Sequence, residues 1–218
     1  MSFFRQRFLA WITPGAAGVL WLLLVVYLAM LLGSVLHLYD LAGWLALTGP
    51  KLFAGQAWRL LTYAWLSPGL PFLIGNALSF IFLGILLERF WTRGDFWLYC
   101  AVTAMGAGLA RVCLQPSGGM PLMGPGPVTF GLLLAVAFVR GREVVQSPPL
   151  TGMVTWHLVL VVGAIILASM ALSTGLVPAM VTGAGALTGY LYLSLRYKWL
   201  MNRDSRVVQS DRISRLEL

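Results

Sequence analysis

Six apolar segments, most of them about long enough to cross a lipid bilayer, dominate this chain of 218 residues. A transmembrane helix needs roughly 20 consecutive apolar residues. The segments are predicted at residues 16–38, 71–90, 96–114, 126–139, 153–172 and 177–196. Only 10% of the residues are charged, against about 25% in soluble domains. The chain is therefore predicted to be an all-α polytopic membrane protein, which excludes cytosolic enzymes and disordered chains.

The fourth segment is too short for a complete span and begins at Gly124-Pro125-Gly126-Pro127. Irregular backbone at membrane depth survives only when it is buried in protein or faces a water-filled cavity. We therefore expect a short fourth helix at the centre of the bundle. The predicted organisation is an N-terminal segment 1–15, a six-helix membrane domain 16–196 and a short basic tail 197–218.

The basic residues indicate how the chain is oriented. With the N-terminus in the cytoplasm, the inner side receives all of the 15 Lys and Arg residues except Lys51, Arg59 and Arg111. The positive-inside rule then predicts that both termini are cytoplasmic, and the short loops suggest a bacterial inner membrane. The net charge of +8 is thus read as a topology signal and a contact with membrane lipid. Nucleic acid is not expected as a partner.

The first loop, residues 39–70, is unusually long and rich in aromatic residues, namely Trp44, Trp58, Tyr63 and Trp65. Amphipathic rings of this kind favour the headgroup level of a membrane. The loop is predicted to lie in the interface.

Three motifs occur in order along the chain. Trp58-Arg59 opens a run that reaches Asn76 and is followed by Gly84 and Glu88. Residues 124–131 read GPGPVTFG, and residues 182–189 read TGAGALTG. This order resembles the rhomboid intramembrane protease family, in which a WR pair precedes H-x-x-x-N, then G-x-S-G-x-x-x-G and H-x-x-G-x-x-x-G. The resemblance covers residues 58–189.

The resemblance carries over almost no catalytic residue. The family's nucleophilic serine falls on Gly126 and its partner histidine on Thr182. The histidine of H-x-x-x-N falls on Phe72, and only the asparagine remains, as Asn76. Glycine has no nucleophilic side chain, and the threonine hydroxyl cannot act as a general base at neutral pH. The resemblance therefore implies a pseudoprotease with no catalytic residue, and neither a cofactor nor a metal is expected.

Several remaining residues are candidates for structural or partner contacts. By resemblance, Trp58 and Arg59 order the first loop, and Glu88 is a structural hydrogen-bonding residue, with a solvated interfacial charge as the alternative. Arg111, near the outer end of the third span, is expected to extend outward to solvent or to pair with a partner's carboxylate.

Small residues predict close helix contacts. Gly185 and Gly189 are four apart in an apolar helix and permit close approach of another helix. The resemblance places the sixth helix on the fourth, where Gly131 offers a matching groove. Ala104 and Gly108 form a similar face on the third span. Packing within the chain is the favoured interpretation, and docking of another protein's transmembrane helix is the alternative.

Two functions are compatible with these patterns. The first is a non-catalytic protein that binds transmembrane helices of partners, as an accessory or structural subunit of a membrane complex. The alternative is a divergent intramembrane protease with a non-standard nucleophile, for which Ser117, Ser173 and Thr182 are the candidates. His37 and His157 are predicted to lie near opposite faces of the membrane, so they cannot form one site together.

Overall fold

The computed structural model describes the backbone of residues 14–37, 40–140 and 154–214, and the side chains of 15–37, 40–140 and 154–198. Most of the predicted N-terminal segment, the connection 141–153 and residues 215–218 lie outside the described residues. Regular structure within the described ranges is helical, with a 3-10 turn at Tyr63–Trp65. The α-helices are α1 Pro14–Val35, α2 Leu41–Leu45, α3 Gly49–Phe53, α4 Arg59–Thr62, α5 Leu70–Leu87, α6 Arg93–Leu114, α7 Gly126–Arg140, α8 Thr155–Thr174 and α9 Leu176–Ser214.

Five of the described helices are long and apolar enough to cross a membrane, namely α1, α5, α6, α8 and the Leu176–Lys198 part of α9. Helix α7 has 15 residues and is about 22 Å long at 1.5 Å per residue. That is shorter than a hydrocarbon core of roughly 30 Å. The prediction of an all-helical membrane architecture with a short fourth helix is confirmed.

Helix α7 lies at the centre of the bundle, as its irregular start predicted. It packs against α5, α6, α8 and α9, and residues along most of its length are buried, including Val128, Leu132 and Ala135. In α8, by contrast, the buried residues are Val159 and Gly163. The central helix can be short because protein, rather than lipid, surrounds it.

Local sequence signals explain where the helices begin. Pro71 occupies the first turn of α5, where a missing N–H costs nothing. Thr92 and Asp95 form a capping box at the start of α6, because each side chain accepts a hydrogen bond from the other's backbone N–H at 3.3 Å. Gly175, with φ +99°, separates α8 from α9.

Contacts between distant segments define two ends of the bundle. At one, which we call the Glu88 end, the Glu88 carboxylate meets the start of α1, and Asp95 pairs with Arg196 at 2.5 Å. At the opposite end, called the Tyr63 end, the Gly124 N–H donates to the Tyr63 carbonyl at 2.9 Å. The first loop and the α6–α7 connection therefore lie together at the Tyr63 end.

The tail predicted to begin at residue 197 is not separated from the last span. Helix α9 continues without a break to Ser214 and contains 39 residues. A helix of this length measures about 58 Å, roughly twice the hydrocarbon thickness.

Candidate functional site

An apolar cleft lies between α5 and α8, with α7 and α9 contributing the rest of its lining. Helix α5 packs mainly on α1 and α7, whereas α8 packs on α7 and α9, so a gap remains between α5 and α8. The cleft has a volume of about 390 Å³. Its lining comprises Leu78, Ser79, Phe82, Leu83, Gly126, Thr129, Phe130, Leu133, Val162, Ile166, Met170 and Thr182.

The structure brings Gly126 and Thr182 to this one cleft, although 55 residues separate them in the sequence. Gly126 opens α7 two residues after Gly124, whose φ of +101° suits glycine. A Cβ at Gly126 would meet no atom within 4 Å. Thr182 lies in the second turn of α9 and is 3% exposed. The two positions that the resemblance assigns to nucleophile and base therefore form part of one surface.

The other two positions that the resemblance assigns to the family's site do not line the cleft. Phe72 lies in the first turn of α5 and is 63% exposed, and Asn76 is partly exposed one turn later. Instead, α5 lines the cleft with Leu78, Ser79, Phe82 and Leu83, which sequence reasoning missed. The helical period from Asn76 could have indicated two of them, because Ser79 and Leu83 follow at i+3 and i+7.

The polar side chains of the lining are already hydrogen-bonded within the chain. The Ser79 hydroxyl donates to the Gly75 carbonyl, and the Thr129 hydroxyl donates to the Gly126 carbonyl, each at 2.9 Å. The Thr182 hydroxyl contacts the Met170 sulfur at 3.5 Å. Among the described residues that line the cleft, none is ionisable. The lining side chains therefore provide apolar contact and include no ionisable group for acid–base chemistry.

Arg59 forms hydrogen bonds with three residues of the first loop. Its guanidinium is 2% exposed and donates to the carbonyls of Gly43 at 2.9 Å and Ala46 at 2.6 Å, and to Gln56 Oε1 at 2.6 Å. Burial lowers the pKa of Arg59. Its neighbour Trp58 is half exposed and precedes α4.

The first loop is also braced against α6 and the α6–α7 connection. The Tyr63 hydroxyl donates to the Ala104 carbonyl at 2.8 Å, and burial raises the pKa of Tyr63. Leu47 and Leu122 exchange backbone hydrogen bonds at 2.9 and 3.1 Å. These contacts hold the Gly124–Gly126 segment, and hence one wall of the cleft, in a defined position.

Arg111 turns inward rather than outward. Arg111 is 8% exposed. It donates hydrogen bonds to Gln115 Oε1 and the Met120 carbonyl, so it links the end of α6 to the α6–α7 connection. We expected Arg111 to extend to solvent or to pair with a partner's carboxylate. The structure instead shows it hydrogen-bonded within the chain. The reason is that an amide oxygen four residues further on and a backbone carbonyl nine residues further on satisfy the guanidinium locally.

Glu88 is a structural acceptor, not a solvated charge. Its carboxylate accepts hydrogen bonds from the backbone N–H of Gly15 at 3.0 Å and of Ala16 at 2.6 Å. The first N–H groups of a helix lack intrahelical partners and carry partial positive charge. Glu88 therefore caps α1 from 73 residues away, beyond the reach of local capping patterns.

The glycines predicted as contact candidates lie inside the bundle. A Cβ at Gly189 would lie 2.5 Å from the Tyr99 hydroxyl, and one at Gly185 would lie 2.8 Å from Ala107 Cβ. Both neighbours belong to α6. Gly131 likewise faces Thr103 of α6 at 2.5 Å. The sixth helix does pack on the fourth, since a Cβ at Gly185 would also lie 3.3 Å from Pro127 of α7. The neighbour expected at Gly131 differs, because the atoms nearest to a Cβ there belong to Thr103 of α6.

The Ala104–Gly108 face of α6 packs against the first loop. A Cβ at Gly108 would lie 2.9 Å from Leu60 and 3.0 Å from Leu47. This face is therefore occupied within the chain and is not available to another protein's helix.

The candidate alternative nucleophiles are dispersed. Ser117 is exposed in the α6–α7 connection, and the Ser173 hydroxyl donates to the Ser169 carbonyl at 2.8 Å. His37 follows α1 at the Tyr63 end, whereas His157 is exposed at the start of α8, at the Glu88 end. Ser67 is buried, and its hydroxyl lacks a hydrogen-bond partner in the described part of the chain. No group of three potential metal ligands forms among the described residues.

The family comparison agrees with the geometry. The model of the Rhomboid domain matches residues 54–199, about two thirds of the chain, and this range contains α4 to α8 and the apolar part of α9. A search of curated proteins finds no match.

Proposed function

This chain belongs to the rhomboid family, and we propose that it is a non-catalytic member whose cleft binds a transmembrane helix of a partner membrane protein. The observation that carries the proposal is the cleft itself. Gly126 and Thr182, at the nucleophile and base positions of the family pattern, both line an apolar surface whose described residues include no ionisable group.

The chemistry of the lining supports a role without catalysis. Acyl transfer needs a nucleophile with a base within hydrogen-bond reach. The hydroxyls of Ser79, Thr129 and Thr182 each contact an oxygen or sulfur of this chain, and none contacts a histidine, lysine or carboxylate. A protease would need either a nucleophile elsewhere or a rearrangement that brings a base to Thr182.

The same lining favours an occupant that remains helical. An extended peptide would bring unpaired backbone N–H and C=O groups into the cleft, and each such group costs several kcal/mol in hydrocarbon. In a helix the backbone N–H and C=O groups are already hydrogen-bonded to one another. The open space at Gly126 admits a partner side chain, and apolar residues such as Phe82 and Ile166 supply contact area.

The proposed membrane arrangement completes this role. With α7 counted as a central span, the chain crosses six times and places both termini in the cytoplasm of a bacterial inner membrane. Because the cleft lies between membrane-spanning helices, partner recognition takes place within the membrane. The chain would then act as an accessory or structural subunit of a membrane protein complex.

Site-specific photocross-linking tests the proposal in native membranes. A benzophenone amino acid at Phe82 or at Ile166 is expected to form discrete cross-links with a membrane protein. The control is Val25 of α1, which is apolar and exposed but does not line the cleft. Because a helix has a 3.6-residue period, cross-linked partner residues should be three or four apart. Equal capture at all three positions, or a two-residue spacing, would contradict the proposal.

Filling the cleft provides a second test with a matched control. Gly126→Leu is expected to lower the cross-linked fraction about tenfold, equivalent to about 1.4 kcal/mol of binding free energy. Gly183→Leu adds the same volume on α9, at a position where a Cβ would also meet no atom within 4 Å, and Gly183 does not line the cleft. It should retain cross-linking.

The divergent-protease alternative predicts a different result. A serine-directed fluorophosphonate would label the chain, and substitution of Ser117 or Ser173 by alanine, or of Thr182 by valine, would remove both the label and substrate cleavage. We expect no label. Labelling lost in one of these variants would overturn the non-catalytic proposal.

A further inference from the structure

We propose that the turn between α5 and α6 is a binding site for the headgroup of an anionic phospholipid. The site consists of Arg89 and Arg93, with Phe90 between them. All three side chains are exposed. The proposal concerns the Glu88 end of the bundle and does not depend on what the cleft binds.

The acidic residues of this turn are already engaged elsewhere. The Glu88 carboxylate accepts two hydrogen bonds from the start of α1. Asp95 accepts from Thr92 and pairs with Arg196. Neither acid therefore forms an ion pair with Arg89 or Arg93 among the described residues.

The two guanidinium groups are left without a counter-charge in the described part of the chain. Neither Arg89 nor Arg93 forms an ion pair or a side-chain hydrogen bond with a described residue. Arginine presents several N–H donors in a planar fork that suits phosphate oxygens. Two such groups within five residues provide complementary charge for a phosphodiester.

The position of the turn next to two membrane spans favours a lipid over a soluble anion as the ligand. The turn directly follows the transmembrane span Leu70–Leu87 and directly precedes the span Arg93–Leu114, so it lies at the membrane surface. Phe90 is 55% exposed there and can contact the upper part of an acyl chain. A phospholipid satisfies the arginines and the phenyl ring together.

The test compares lipid binding by the purified full chain in native mass spectrometry, with phosphatidylglycerol and phosphatidylcholine as probes. The wild type is expected to retain phosphatidylglycerol preferentially. Arg89→Gln and Arg93→Gln should each weaken this binding about fivefold, the effect of one basic residue at an anionic surface. The control is Lys198→Gln, another exposed basic residue at the same end, which should have little effect.

Three outcomes would overturn the proposal. These are equal retention of both lipids, an equal loss in Lys198→Gln, or full competition by inorganic phosphate, which would indicate a general anion site. Because both arginine side chains are exposed and lack described contacts, the variants should remain folded. Unchanged elution on size exclusion checks this, and Arg89→Lys, which keeps the charge but not the planar fork, should bind more phosphatidylglycerol than Arg89→Gln.

Discussion

At the scale of single residues, Glu88 connects the ends of two spans that the sequence separates by more than 70 residues. Replacing it by alanine leaves the N–H groups of Gly15 and Ala16 without their acceptor. Hydrogen bonds to charged groups contribute about 1.5–3 kcal/mol. We expect Glu88→Ala to lower the free energy of unfolding by about 2 kcal/mol, measured by SDS titration in mixed micelles.

Two variants make the Glu88 measurement specific. Glu88→Gln retains one carbonyl oxygen as acceptor but loses the charge, so about half of the destabilisation is expected. Arg89→Ala removes a neighbouring charged side chain that has no described contact and should stay within about 0.5 kcal/mol of wild type. A comparable loss in Arg89→Ala would contradict the capping role.

At the scale of elements, the closest helix contact is that between α9 and α6, where Gly185 and Gly189 face Ala107 and Tyr99. Gly189→Ala would place its methyl group 2.5 Å from the Tyr99 hydroxyl, so either the Tyr99 side chain must move or the helices must separate. Overpacking of this kind costs about 1–3 kcal/mol. The expected loss is of this size for Gly189→Ala and somewhat smaller for Gly185→Ala, measured in the same unfolding assay.

Gly183 supplies the control for this helix contact, because it lies on the same helix and a Cβ there meets nothing within 4 Å. Gly183→Ala should be neutral or should stabilise by up to about 1 kcal/mol, since alanine favours helix over glycine. If all three substitutions cost the same, close packing at Gly185 and Gly189 would not be the cause.

At the scale of the whole molecule, the helices alternate between the Glu88 end and the Tyr63 end, so the position of each connection follows from that of one terminus. We predict that the Glu88 end is cytoplasmic. A fluorescent protein fused after residue 218 should therefore fluoresce, and alkaline phosphatase fused there should be inactive. Fusions after residue 120, at the Tyr63 end, should give the reverse. Active phosphatase after residue 218 would contradict the predicted orientation.

The sequence alone determined the properties that depend on local composition and spacing. Apolar segments long enough to span the membrane are expected to be helical, because backbone N–H and C=O groups must be hydrogen-bonded to one another in the hydrocarbon core. The irregular GPGP run at the short fourth segment indicated a central position, and the motif order indicated the rhomboid family. The assignment of Gly126 and Thr182 to the nucleophile and base positions of the family pattern stays a prediction, and it could be made because each motif is local in the sequence.

Only the tertiary structure decided which distant groups meet. The pairing of Glu88 with Gly15 and Ala16, the inward turn of Arg111 and the approach of Gly131 to α6 rather than α9 depend on how helices rotate and pack. Apolar sequence says little about this, because lipid and protein both accept an apolar face. The cleft exists for the same reason: α5 and α8 pack on other helices, and the space between them is set by the bundle as a whole.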